Sequence, residues 1–463
     1  MKNKERIFWV SLTLVLGSFI LLPIERAFAI SREAEKYLQI FHEVSTLIES
    51  DFVESVEDKN IFLGAIKGMI GSLGDPHTRF MEEEDFKQLQ EETRGSFGGV
   101  GIEVTQQDGA LVVITPIDDT PAQRAGMLPQ DRIIEINGQT TEKMGIPEAI
   151  KVMRGAAGTP VTLKIKRKIQ KEPIFFTLNR ELIKIQFLKS AFIEKEKVGY
   201  IRLSQFMGRE TTAGEFKKIV REFQEKKAAG IVVDLRSNPG GLLDLSIDLS
   251  DLFLPEGKDI VSVKGRGEKL IRVYKSTTSQ DKILDTPMVV LLNNGSASAS
   301  EIFAGAMQDN KRGTILGNQS FGKGSVQNIY PLSHKTGIAL TIQKYYTPSG
   351  VSIHKKGITP DLVINQLIPD EDEKTNLDKL MKGNVISTFV SENPSYNDKN
   401  SSIFIDQLNK KGFKLRPEIA KYILKREYAL GLPTPVYDRE FDLQLNKAID
   451  LIANPTTLKA ASK

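Results

Sequence analysis

The stretch Met288-Val289-Val290-Leu291-Leu292-Asn293-Asn294-Gly295-Ser296-Ala297-Ser298-Ala299-Ser300-Glu301 holds two elements and the turn between them. Its five consecutive apolar residues predict a strand buried on both faces. Asn293-Asn294-Gly295 predicts a turn. Ser298 and Glu301 stand at capping-box spacing, and Ile302, Phe303, Ala306 and Met307 continue an apolar helical face. A strand feeding a helix in this way points to α/β architecture with sites at the strand ends. Ser298 would have free backbone amides beside it and the positive end of the helix dipole behind it. Those surroundings suit a nucleophile whose substrate develops an oxyanion. Read alone, the segment is also simply a serine-capped helix.

The same alternation runs from about 185 to 365. Val198 to Leu203 reads as a strand, followed by a helix marked by Phe216, Ile219, Val220 and Phe223, with Thr212 and Glu215 spaced as its capping box. Gly230 to Leu235 is a second buried strand. Asn238-Pro239-Gly240-Gly241 then turns into a helix marked by Leu242, Leu245, Leu249 and Leu252. Further on comes Phe321-Gly322-Lys323-Gly324-Ser325-Val326-Gln327. A lysine serves as a general base only when desolvation lowers its pKa from about 10.4 towards neutrality. A depression of about three units costs about 4 kcal/mol, so a lysine in this glycine-flanked, apolar setting points to chemistry. Gln327 lies on the same side of the chain as Lys323 in either a strand or a helix. It is placed to accept a lysine hydrogen bond and aim the amine at a serine.

The flanks of this core carry different signals. Lys2, Lys4 and Arg6 precede an apolar run from Ile7 to Leu22, Pro23 breaks it, and Ala27-Phe28-Ala29 fits a small-x-small cleavage site. Residues 1–29 are therefore a signal peptide or a membrane anchor. The run is shorter than the roughly 20 residues of a bilayer span, which favours cleavage. The chain is expected to be exported, to the periplasm or the extracytoplasmic face, with anchoring to the inner membrane as the alternative to release. Residues 30–91 predict helices, one of them on Tyr37, Ile40, Phe41, Val44, Leu47 and Ile48. His77 reads as structural, pinning a turn after Pro76. Residues 366–463 read as an acidic linker, Pro369 to Glu373, followed by helices for packing and oligomer contact.

Residues 92–172 predict a β-rich module. A glycine turn, Gly98-Gly99-Val100-Gly101-Ile102, enters a strand; Leu111 to Ile114 is another; Pro121 to Gly126 is a short helix; and Asn137-Gly138 marks a hairpin. Ile146, Ala149, Ile150 and Met153 form one face of a second helix. Val161 to Lys168 alternates apolar with basic residues, as an edge strand with one wet side would.

Composition excludes several chemistries. The absence of cysteine removes disulfides, thiolate zinc sites and a cysteine nucleophile. Any histidine mechanism must use His42, His77, His334 or His354. A formal net charge of +4 over 463 residues implies no nucleic-acid partner. There is no HExxH and no carboxylate-histidine cluster, so neither a metal nor another cofactor is expected.

The β-rich module resembles a PDZ domain, with Gly99, Val100, Gly101 and Ile102 as the carboxylate-binding loop and Ile150 and Met153 lining the groove. Glycines let backbone N–H groups crowd a terminal carboxylate, and the next strand can pair with an extended peptide. The core segments, together with Gly74-Asp75-Pro76-His77-Thr78, resemble the C-terminal processing (tail-specific) proteases, which are Ser-Lys peptidases. Ser298 and Lys323 are 25 residues apart, the family's spacing. The resemblance implies a multidomain α/β protein with its peptidase core over residues 185–365. It further implies Ser298 as nucleophile, Lys323 as base and Gln327 as the residue orienting the lysine. Gly240 or Gly241, with the amide of Ala299, would form the oxyanion hole. Substrates would be polypeptides with apolar C-termini, and Arg154 would link module and core. An adaptor protein and homo-oligomerisation are left open.

Rival readings share the same residues. Gly317 to Lys323 nearly spells a P-loop, but Gly324 replaces the magnesium-binding Ser/Thr. Ser320-Phe321-Gly322-Lys323 matches SxxK and Lys335-Thr336-Gly337 matches KTG, the penicillin-recognising pattern, without its SDN element. Asp309 falls where some family members carry a catalytic aspartate, though an exposed helix-end residue explains it as well. The non-enzymatic alternative is a periplasmic PDZ scaffold.

Overall fold

A computed structural model describes residues 31–454, apart from 108, 118, 168–169, 171, 280 and 430–434. The signal or anchor segment lies outside the described residues. Among the described residues no helix is long and apolar enough to cross a membrane. The chain divides after Phe80 into two units.

The first unit carries helices Arg32–Asp51 and Asp58–Gly71. Ser31 caps the former, its Oγ accepting from Ala34 N at 3.1 Å. The expected stripe of Tyr37, Ile40, Phe41, Val44, Leu47 and Ile48 forms, but only Ile48 is half-buried and the other five side chains are exposed. The turn after Gly74 is held by Asp75, whose carboxylate accepts from His77 N (3.1 Å) and Thr78 Oγ1 (2.6 Å). Asp75 thus pins the turn, with the backbone of His77 as one of its donors.

The second unit is built on a six-stranded sheet ordered Leu188–Ile193, Val198–Leu203, Gly230–Asp234, Met288–Leu292, Thr314–Gly317, Leu362–Val363. The first pair is antiparallel and every later pair parallel. Gly230–Asp234 and Met288–Leu292 are buried at every position, as expected of central parallel strands. Helices Arg209–Glu225, Leu243–Asp251 and Ala299–Asp309 pack their apolar stripes into the larger core. The first of these begins earlier than its capping pattern suggested. Gly208 is the N-cap, and Thr212, one turn inside, returns its hydroxyl to Met207 O at 2.6 Å. The other sheet face is covered by Leu443–Ala453, through Leu445, Ala448, Ile449, Leu451 and Ile452. An antiparallel group, Asp259–Lys264, Leu270–Lys275, Ser325–Pro331 and Gly337–Tyr346, flanks this layer.

The module follows helix Glu83–Arg94. Strand Ser96–Gly99 leads in and pairs antiparallel with Glu181–Lys184, which leads out. Between them lies a β-sheet ordered Ile102–Gln107, Ala110–Pro116, Arg132–Ile136, Pro160–Lys166, Ile174–Asn179. Two expectations are corrected here. The sheet's last strand lies beyond residue 172. Pro160–Lys166 is not an edge strand, because it pairs on both sides. Of its basic side chains, Lys164 reaches Glu135 at 2.7 Å and lies 5.5 Å from the Phe175 ring centroid, while Lys166 is exposed.

The acidic run at 369–373 is no linker. Asp370 caps helix Glu371–Lys382, and Glu373 is buried against Arg416. That helix joins Val385–Glu392, Asp398–Lys410 and Pro417–Tyr428 around Leu380, Phe389, Phe404 and Leu424.

Candidate active site

Three neighbouring parallel strands deliver the site at their carboxyl ends, where an open α/β sheet leaves a crevice. Gly230–Asp234 leads to Gly240 and Gly241, Met288–Leu292 to Ser298, and Thr314–Gly317 to Lys323.

The alternating serines of the turn divide their labour. Ser296 donates to Leu235 O (2.8 Å) and Ser300 to Asn238 O (3.0 Å), both fully buried. Ala297 N also donates to Asn238 O at 3.0 Å. Asn238 in turn reaches Leu203 O through Nδ2 at 2.8 Å. These bonds clamp the turn against the glycine loop. They over-determine Ser298, which sits at φ 55° and ψ −113°. Sparsely populated backbone geometry of this kind costs on the order of 1–3 kcal/mol and persists only where the surroundings enforce it.

Gly240 lies directly against the serine. A Cβ there would stand 2.8 Å from Ser298 Cβ and 2.8 Å from Ala299 N, on a backbone with φ of +97°, so only glycine fits. The sequence left open which glycine faces an oxyanion. Asn238 Oδ1 occupies the Gly240 N–H at 2.9 Å. Among the described residues nothing accepts from the N–H of Gly241 or of Ala299.

Glu301 joins the serine to the lysine segment. It is fully buried, and Oε2 accepts from both Ser298 N (2.7 Å) and Lys323 N (2.9 Å). Oε1 accepts from Gly322 N and Ser320 Oγ, each at 2.6 Å. Burial pushes the carboxyl above the ordinary glutamate range, while the four donors favour its anion. Lys323 itself is half-buried. Gln327 Nε2 donates to Ser325 Oγ (2.8 Å) and Thr341 Oγ1 (3.0 Å), which leaves Oε1 as its acceptor for an amine.

The rival motifs are consumed structurally. Ser320 Oγ gives its proton to Glu301 and accepts from Ile358 N at 2.6 Å, so it has no freedom for attack. The amides of the near-P-loop, Gly322 and Lys323, hold that same carboxylate. Lys335 of the KTG match is exposed and pairs with Glu83 at 2.8 Å. Asp309 is exposed and accepts from Ser349 N at 2.8 Å.

In the module, Gly99, Val100, Gly101, Ile102, Ile150 and Met153 line one groove of about 320 Å³. It runs between the edge strand Ile102–Gln107 and helix Ile146–Met153, with one ladder side of the strand unpaired. Arg154 ends that helix, lies 4.2 Å from the Phe97 ring centroid and comes within 3.8 Å of Glu91 on the core side.

Two contributors were not singled out in the sequence. Glu301 gave only a capping signal, and its deeper role depends on residues about twenty positions later. Asn238 looked like a turn residue and gave no further sign.

Comparison with known proteins agrees with this layout. Residues 197–364 match the model of peptidase family S41, residues 112–167 that of the PDZ domain, and residues 24–85 that of the activating protease CtpB N-terminal domain. A carboxy-terminal-processing protease of Bartonella bacilliformis is 41% identical over 80% of this chain and 84% of its own. A carboxyl-terminal-processing protease of Synechocystis is 35% identical over 79% of this chain and 89% of its own. Among solved structures, the photosystem II D1 C-terminal processing protease is 30% identical with a TM-score of 0.42, covering 70% of this chain and 86% of that one. Fold and matches together define a serine-type peptidase that carries a PDZ domain. Within that class, the chain belongs to peptidase family S41, among the carboxy-terminal-processing proteases.

Proposed function

We propose that this chain is an exported endopeptidase that captures the apolar C-terminal tail of a polypeptide in its PDZ groove and cleaves the chain with a Ser298–Lys323 dyad. The observation that carries the reading is the shared oxygen of Glu301. Two segments 25 residues apart are bound to one buried carboxylate atom through the backbone amides of the two residues in question.

In this mechanism neutral Lys323 takes the proton of Ser298 Oγ as the oxygen attacks a peptide carbonyl. The amides of Gly241 and Ala299, free of other acceptors, stabilise the oxyanion. The lysine then protonates the leaving amine, and water resolves the acyl-enzyme. Gln327 holds the lysine through Oε1. The captured tail pairs as a strand with Ile102–Gln107 and places its carboxylate at Gly99–Ile102. The basic start and apolar run before Ala29 support export.

The test is mass spectrometry of an unfolded, apolar-tailed polypeptide after incubation with the enzyme. Wild type is expected to yield internal fragments, and Ser298→Ala and Lys323→Ala to yield none while still binding the substrate. Cleavage surviving in either variant overturns the dyad. Binding without cleavage by any form, wild type included, supports the scaffold reading. Replacing the substrate's apolar tail with charged residues is expected to raise KM; an unchanged KM overturns tail capture.

A further inference from the structure

Two charged residues line the PDZ groove, Arg154 and Glu103. Arg154 is already placed over the Phe97 ring and beside Glu91. Glu103 is exposed, and among the described residues no donor or cation meets its carboxylate. It is the second residue of the edge strand Ile102–Gln107, whose outer ladder side is unpaired. Glu103 pairs with Thr115 and Val104 with Val113, so a bulge leaves Ile114 without a cross-strand partner. Ile114 is half-buried and lines the same groove. One side of the groove therefore offers an unclaimed acid together with an aliphatic surface.

We infer that Glu103 is a specificity residue that selects lysine or arginine as the next-to-last residue of the substrate, with an apolar residue last. This rests on the reading of the groove as the seat of the substrate's tail. A tail whose carboxylate sits at Gly99–Ile102 runs antiparallel to the strand that starts there. Its last residue then lies beside Ile102 and the residue before it beside Glu103. Successive side chains of a strand point to opposite faces. The last one enters the apolar groove at Ile150 and Met153, and the preceding one turns to the face that carries Glu103. A long basic side chain suits that place: its methylene stem covers Ile114 while its cationic head meets the carboxylate. An acidic residue there would stand directly opposite a like charge, which disfavours the pairing. The contact is open to water, so the selection is modest and weakens with salt.

The experiment measures fluorescence anisotropy of dye-labelled peptides on the full chain carrying Ser298→Ala. The peptides share one sequence and end in lysine-valine, glutamine-valine or glutamate-valine. The lysine form is expected to bind about threefold more tightly than the glutamine form, and the glutamate form about threefold more weakly, the scale of an exposed ion pair. Adding Glu103→Gln should level the three, and Glu103→Lys should reverse their order, a result that loss of folding cannot imitate. Raising salt from about 50 mM to about 500 mM should shrink the preference. Equal affinities in the parent chain overturn the inference, as does an order that Glu103→Lys leaves unchanged. A lysine-valine peptide with an amidated C-terminus is the separate control. Its loss of binding is expected, and binding as tight as the free acid would instead overturn the reading of tail capture itself.

Discussion

Glu301 contacts no reacting atom in the proposed chemistry, yet it fixes where two of the proposed reacting groups begin. Its Oε2 has no substitute. Glutamine keeps one acceptor oxygen and turns its N–H₂ either towards the amides of Ser298 and Lys323 or towards the amide of Gly322 and the Ser320 hydroxyl, so at least one backbone donor is buried without a partner. Glu301→Gln is therefore expected to cut kcat/KM by well over tenfold, since each unsatisfied buried group costs about 1–3 kcal/mol. Activity assay combined with thermal melting checks it, and full activity would show that the tie is dispensable. The sequence made half of this visible. Capping-box spacing announced the bond to Ser298, because that bond is local. The bonds to Ser320, Gly322 and Lys323 were hidden, because they depend on which strand end lies beside which.

Beside the apolar core of the C-terminal helices, one buried acid joins the first of them to the start of Pro417–Tyr428. Glu373 lies in the first turn of Glu371–Lys382, and its oxygens accept from Arg416 N, Nε and Nη2 at 2.8 to 3.2 Å. The arginine holds the carboxyl well below the ordinary value of 4.5, at about 2. The sign follows from this depression. The folded state binds the proton less readily than the unfolded chain, so the contribution is complete above about 4.5 and fades as pH falls towards about 2. Hydrogen exchange in helices Glu371–Lys382 and Pro417–Tyr428 is expected to accelerate over that window. Glu373→Gln should exchange faster at neutral pH and lose the acid response between those limits; an unaltered acid response assigns it elsewhere. A run of acidic residues after a proline looks like a linker because its partner stands 43 positions away. The period of an apolar stripe survives in sequence, whereas a single long-range ion pair does not. Pro160–Lys166 was misjudged for the same reason: its alternation was correct, but strand order is invisible locally.

Across the molecule, the sheet is tied to the end of the chain. Arg236 directly precedes the loop that carries Asn238, Gly240 and Gly241. Its guanidinium bonds Asp234 at 2.6 Å and Asp442 at 2.7 and 2.8 Å, while Tyr200 donates to Asp234 at 2.7 Å. Asp442 also caps the closing helix, its Oδ1 accepting from Leu445 N at 2.9 Å. Asp442→Ala leaves a buried cation with one carboxylate, Asp234, beside the amide oxygen of Gln444, and a helix without its cap. A loss of roughly 3–5 kcal/mol is expected from the broken pair, read as a lower denaturant midpoint, together with reduced activity through the neighbouring loop. A midpoint equal to wild type would show the network to be ornamental. The α/β alternation and the order of regions were legible in advance. The closing helix was legible only as a helix, because nothing in its own residues states which surface it covers.

The paired strands Ser96–Gly99 and Glu181–Lys184 bring the entry and exit of the PDZ module side by side. A part attached at a single doorway can be exchanged without redrawing the floor plan. Recombination at that doorway could give the same cutting machinery a new reader, so recognition and cleavage are free to diversify at separate rates.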